Sequence, residues 1–146
     1  MANRVEGDRT IAQPIEVVFE TLVDPERQVE WDVGGLHTVE KLTPGPLGKG
    51  SRYRGTFKRM GKVDYEFSEY DPPRRFAHLA RMPAGSSSHV LTLEEVPGGT
   101  RLHQVIEVEP NLFGKIAWPV FLRSMIAKRI DTVGRSVEEY LARRPA

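Results

Sequence analysis

Apolar residues recur along this chain with a spacing of three to four near its two ends and a spacing of two between them. After Pro14, the residues Val17, Val18, Phe19, Leu22 and Val23 fall at helical spacing, and a proline at a helix start costs little because its missing N–H would lack an intrahelical partner anyway. Asp24-Pro25 ends that run. Asp24 then suits the N-cap of a second short helix through Val29 and Trp31, with Glu26 in a first turn that favours negative charge, and Gly34-Gly35 closes the pair. Ahead of both, residues 4–12 read as a first strand, with Val5, Thr10 and Ile11 set among polar neighbours.

From residue 36 onward the period is two. Strands are predicted over 36–42, 51–59, 62–70, 75–81, 88–96 and 100–109, bounded by TPGPLGKG, Met60-Gly61, Asp71-Pro72-Pro73, Pro83 to Ser87 and Pro97-Gly98-Gly99. Most of these breaks are short enough for hairpins, which makes an antiparallel meander the economical topology. Tyr53, Gly55 and Phe57 oppose Arg52, Arg54 and Lys58, and Val63, Tyr65 and Phe67 oppose Asp64, Glu66 and Ser68. The same face continues with His89, Leu91 and Leu93, then Leu102, Gln104, Ile106 and Val108. A final helical stripe over 112–143 carries Phe121, Leu122, Met125, Ile126, Ile130, Val133, Val137, Tyr140 and Leu141, with Pro119 kinking it or setting its start. Seven strands with one apolar face need a cover, and this last helix is the only long apolar stripe available. The expectation is a single α+β domain over 1–146, a curved antiparallel sheet wrapped around a C-terminal helix, with room for a cavity between them.

Composition narrows the partners. The 146 residues include no cysteine, which excludes disulfides and thiolate metal sites. Twenty-one Lys and Arg against 20 Asp and Glu, mixed along the chain, argue against nucleic acid as the main partner. With no apolar run near about 20 residues and no basic-then-apolar N-terminus, a soluble cytoplasmic protein is expected. The four histidines lack the spacing of a metal motif, so neither a metal nor any other cofactor is expected. Ser86-Ser87-Ser88 has no GxSxG context, and Gly45, Gly48 and Gly50 do not lead into a helix as a phosphate loop would.

Four blocks, IAQPIEVVFETLVDPERQVEW at 11–31, PLGKGSRYRG at 46–55, YEFSEYDPPRRF at 65–76 and GGTRLHQVIEVEP at 98–110, resemble the SRPBCC superfamily. Its helix-grip fold is shared by steroidogenic-acute-regulatory-type (START) lipid-transfer domains, the birch pollen allergen group (Bet v 1-like) and polyketide cyclase/dehydrase-like proteins. The resemblance covers nearly the whole chain. Val33 departs from it, since many relatives carry proline after the tryptophan. What the resemblance implies is a cavity for an apolar or aromatic molecule between sheet and long helix. Its walls would come from Tyr53, Phe57, Tyr65, Phe67, Phe76, Leu91, Leu93, Ile106, Phe121 and Met125, which as plain core residues would fill the same space.

Tyr65, His89 and Gln104 are polar residues on the inward face, where each needs a partner that a ligand would supply. His89 and Tyr65 are the candidates for acid–base work, although a satisfied core histidine is the favoured reading of His89. The alternation places His103 toward solvent and leaves the facing of His37 and His78 open, because both alternations in FAHLA are apolar. Trp31 and Trp118 fall where the family forms its cavity mouth, as gates or as packing. Lys115, Arg123, Lys128, Arg129 and Arg135 read as a solvated helix face, which with Phe113 and Trp118 would at most brush a membrane while loading a lipid. The leading reading is a binding protein for a small hydrophobic lipid, polyketide or aromatic metabolite. A cofactor-independent polyketide cyclase/dehydrase-like enzyme is the alternative, and a protein-interaction module of the heat-shock-ATPase-activator type is the third reading.

Overall fold

The period-two face and the helical stripe find each other. The computed structural model describes residues 3–32, 34–58, 61–82, 85–110 and 123–143. The chain runs β1 (Asn3–Ile11), α1 (Ile15–Val23), α2 (Pro25–Trp31), β2 (Leu36–Lys41), β3 (Arg52–Phe57), β4 (Gly61–Asp71), β5 (Arg75–Met82), β6 (Gly85–Val96), β7 (Gly99–Pro110) and α3 (Arg123–Arg143). All neighbours are antiparallel in the order β1-β7-β6-β5-β4-β3-β2, so β2 to β7 form the expected meander and β1 joins beside β7. The α+β helix-grip architecture is therefore present. α3 buries Ile126, Ile130, Val133, Val137 and Leu141 against the sheet. The predicted stretch of this helix over 112–122, with Phe113, Lys115, Trp118, Pro119 and Phe121, lies outside the described residues.

Two departures from simple alternation shape the concave face. Residues 85–87 belong to β6 and not to the turn assigned to them: Gly85, Ser86 and Ser87 pair with Met82, Arg81 and Ala80 on one side and with Pro110, Glu109 and Val108 on the other. A serine run carries no apolar alternation, and backbone pairing on both flanks makes it a strand. The second departure is a bulge in β4 between Phe67 and Glu69. An extra residue on one strand turns the side chains beyond it over, so the inward series Val63, Tyr65, Phe67 resumes at Tyr70, which packs on the core beside Phe19 and Phe67.

The helices are joined by charge as well as by apolar contact. Asp24 caps α2, accepting from the Glu26 N–H at 3.0 Å. At the other end of α2 lies Asp32, which is 1% exposed. Its carboxylate accepts from both terminal nitrogens of Arg129 at 2.7 and 2.6 Å, from the Gln28 side chain at 2.8 Å and from the Leu36 N–H at 3.1 Å. One side chain thus gathers α2, the start of β2 and α3. A methyl group on Gly35 would collide with the Arg129 guanidinium and both Asp32 oxygens. The reading of Arg129 as part of a solvated helix face is corrected here: its side chain is 21% exposed, because bidentate pairing with a buried carboxylate draws it in.

Burial by itself would raise the Asp32 carboxyl, but the hydrogen bonds and charge of Arg129, helped by Gln28 and Leu36, outweigh it and hold the group below the ordinary carboxylate range. Removing one member of such a pair strands the other. Arg129→Met is expected to lower unfolding free energy by roughly 3–5 kcal/mol, and adding Asp32→Asn to it is expected to restore much of that loss, both read from urea denaturation. A single substitution that shifts the midpoint by less than about 1 kcal/mol, the worth of a surface pair, would show that the contact is not structural.

Candidate functional site

The strand register builds the concave face row by row. Phe67, His78, His89 and Ile106 are direct neighbours across β4 to β7, and the next row holds Tyr65, Ala80, Ser87 and Val108. Tyr53 of β3 lies opposite Tyr65 and stacks on it, with ring centroids 5.8 Å apart. A side chain at Gly55 would press into Leu36, Phe57 and Tyr65, so the glycine leaves these rings their space.

Between this face, α2 and α3 lies a cavity of about 120 Å3. Seven of the residues expected to line it do so: Trp31, Phe57, Tyr65, Phe76, His89, Leu91 and Ile106. Tyr53, Phe67 and Gln104 are buried but do not line it: Tyr53 and Phe67 pack on the ring cluster, and Gln104 holds His89. Leu93 is a core residue. Met125 borders a separate hollow of about 200 Å3, which shares Phe57, Ile126 and Arg129 with the cavity. Those three side chains form the common wall, with the Arg129 guanidinium 5.9 Å from the Phe57 ring centre. Trp31 is also anchored, its Nε1–H donating to the Thr21 carbonyl at 2.9 Å. Trp118 and Phe121 lie outside the described residues, as does Val33.

The wall residues that alternation did not single out include His78, Ala80, Ser87, Gln28 and Arg129. His78 had a usable signal. Two residues from Phe76 on the same strand, it shares that residue's face, and the outward Leu79 is left 51% exposed. No comparable signal marked Asp32 and Arg129, which are remote in sequence. A carboxylate at a helix C-terminus, where the dipole disfavours it, is the one local oddity.

Two histidines with different partners face each other in the cavity, their ring centroids 6.4 Å apart. Gln104 donates its amide to the Ile130 carbonyl at 3.1 Å, which leaves its oxygen to accept from His89 Nε2 at 2.9 Å. This network assigns the His89 proton to Nε2. His78 Nε2 has no such partner, and neither does the hydroxyl of Tyr65, whose ring stands edge-on to His78 at 5.1 Å. Burial pushes His78 down to about 3, with the charges of His89 and Arg129 acting in the same direction. Burial likewise pushes His89 down to about 4, against the opposing bond to Gln104. The Tyr65 hydroxyl is pushed up by burial and by the neighbouring Tyr53, Asp24 and Asp32. Around neutral pH all three groups are uncharged, and a buried polar atom with no partner costs roughly 1–3 kcal/mol.

The other histidines are outside this site. His37 is exposed on β2, and His103 faces outward as expected, beside Asp8 and Glu6. Among the described residues no group of His, Asp and Glu side chains is gathered as a metal would require, and no described helix is long and apolar enough to cross a membrane.

This geometry has relatives. Residues 2–142 match the family model for polyketide cyclase/dehydrase and lipid transport proteins. Among solved structures, the di-domain ARO/CYC BexL from the BE-7585A biosynthetic pathway superposes with a TM-score of 0.81 at 16% identity, over 99% of this chain and 51% of that one. Ara h 8.0201 superposes with a TM-score of 0.80 at 15% identity, over 99% and 100% of the two chains. Protein MLL2253 from Mesorhizobium loti does so with a TM-score of 0.76 at 20% identity, over 99% and 100%. No curated protein matches by sequence. At these identities the structures establish a shared fold, and the family match, spanning nearly every residue from β1 to the end of α3, establishes descent: the chain belongs to the polyketide cyclase/dehydrase and lipid transport family of the SRPBCC superfamily.

Proposed function

We propose that this protein encloses a small, largely apolar ligand in the cavity between the sheet and α3. The observation that carries the reading is a cavity with mainly apolar walls, on whose lining residues Tyr65 and His78 two buried polar atoms, the hydroxyl and Nε2, have no partner among the described residues. Apolar walls with a few convergent polar groups are the usual make-up of a ligand site. The family description and the BexL relative favour the cyclase reading as the alternative, in which the pocket orients a polyketone and Tyr65 with a histidine assists proton transfer. Two features weigh against proton transfer as the main role. His89, the histidine singled out for it, already gives Nε2 to Gln104, and both histidines are shifted well below neutrality while Tyr65 is shifted up, which makes weak bases and a weak acid. The interaction-module reading has less support, since the exposed large apolar residues among those described, Val29, Leu42 and Leu79, are spread over α2, the segment just after β2, and β5.

Mass spectrometry of an organic extract of the purified protein tests enclosure directly. A small apolar molecule released on unfolding is expected from the wild type and not from Ala80→Phe, a substitution that fills the cavity from β5. A protein that releases nothing and whose melting temperature no apolar compound raises would overturn the reading.

The buried histidines also set a pH dependence. Below about pH 6.5 the unfolded chain protonates His78 and His89, whereas the folded protein resists until about pH 3 and pH 4 respectively. The unfolded state then holds more protons, so the stability present above pH 6.5 is lost as pH falls, by up to about 1.4 kcal/mol per pH unit for each histidine. Urea midpoints at pH 7.5, 6 and 5 are expected to fall in that order, and less steeply for His78→Phe. A midpoint independent of pH over this range would refute the burial of both rings.

A further inference from the structure

We propose that the ligand is an amphiphile, with its apolar body in the cavity and an acidic head held at the mouth by Lys58 and Lys128. This rests on the enclosure reading and adds to it the charge and position of the ligand's polar end.

The mouth follows from how the long helix is seated. α3 packs against β1, β7 and the two short helices. Toward the end of β3 it leaves the hollow of about 200 Å3, bordered by Gly34, Gly35, Phe57, Lys58, Met125 and Lys128 among others. Cavity and hollow meet at the side chains of Phe57, Ile126 and Arg129. Asp32 fixes Arg129. Phe57 is half-buried and ends its strand, so a turn of its ring joins the two spaces and lets one molecule occupy both.

Charge sets what lies at that mouth. The Lys58 N–H donates to the Gly35 carbonyl at 3.0 Å, which fixes this residue beside the hollow, and Lys128 stands on α3. Both are exposed, as when a lysine lays its stem on apolar surface and keeps its ammonium in water. All 20 Asp and Glu residues of the chain are among those described, and neither lysine is paired with one. No carboxylate side chain borders the hollow among the described residues. The complement of a basic rim over an apolar space is an acid with an apolar body.

Two further observations keep the acid at this place. A head drawn past Phe57 would have to take Arg129 from Asp32 and strand a buried carboxylate. A larger hollow of about 640 Å3 also adjoins the cavity, at Tyr65, Ala80 and Ser87. Its border carries Asp64, Glu66, Glu107 and Glu109 against Arg52 and Arg81, an excess of negative charge that disfavours an acid there.

The test is calorimetric titration of the wild-type protein at neutral pH and low salt with octanoate, octanol and octylammonium, three molecules that share a chain and differ in head charge. Octanoate is expected to bind about tenfold more tightly than octanol, the combined effect of two exposed ion pairs, and octylammonium more weakly than either. The advantage of octanoate is expected to vanish in about 1 M sodium chloride, where the screening length is roughly 3 Å. In the double variant Lys58→Gln/Lys128→Gln octanoate is expected to fall to the affinity of octanol. Octanol or octylammonium binding as tightly as octanoate, or an octanoate advantage that survives in the double variant, overturns the acidic head while leaving enclosure standing. If none of the three binds, the acidic head is refuted, and the organic extract decides enclosure separately: a molecule released by the wild type keeps it. The wild-type comparison and its salt dependence need no variant.

Discussion

A buried ion pair between Asp32 and Arg129 is the constraint on which the rest of the cavity depends. α1 and α2 are short, and nothing in their own hydrogen bonding dictates how they sit relative to α3. Asp32 settles this by accepting from α2, from the first strand of the meander and from the long helix with one carboxylate. The pair is costly to desolvate, and four hydrogen bonds in good geometry offset that cost. Because Arg129 also borders the cavity and its outer hollow, the contact that joins the helices is part of the cavity wall. Its charge is spent within the protein, and the described wall carries no other formally charged side chain.

Inside that chamber polarity is unevenly satisfied. Gln104 links the Ile130 carbonyl to His89, so one histidine is held between sheet and helix by protein atoms alone. His78, its cross-strand neighbour, is surrounded by Phe67, Phe76 and Tyr65 rings, and its Nε2 has no protein partner. Two residues of one type on adjacent strands therefore differ: His89 is tied into the framework by Gln104, and His78 Nε2, like the Tyr65 hydroxyl, has no partner among the described residues.

The helix periods, the strand order and the inward set Tyr53, Tyr65, Leu91, Gln104 and Ile106 were legible in the sequence, because burial on one side of a helix or sheet writes itself into local spacing. The serines of 86–88 were not, since a polar strand carries no such spacing and is defined by its neighbours' backbone groups. Alternation also cannot separate a residue that lines a space from one that fills it: Phe67 and Phe76 lie on the same face, yet only Phe76 reaches the cavity.

By itself, then, the sequence determined the family, through the resemblance of four blocks, and, through short-range periodicity, the helix-grip architecture and most of the apolar wall. Tertiary structure alone decided that His89 is engaged while His78 Nε2 has no partner among the described residues, that Arg129 leaves the solvent face for Asp32, and that a cavity of about 120 Å3 is left between sheet and helices. Each of these is a distance between residues remote in the chain. Such distances arise only when strand register, the β4 bulge and the approach of α3 are combined, and no local pattern of residue types encodes their sum.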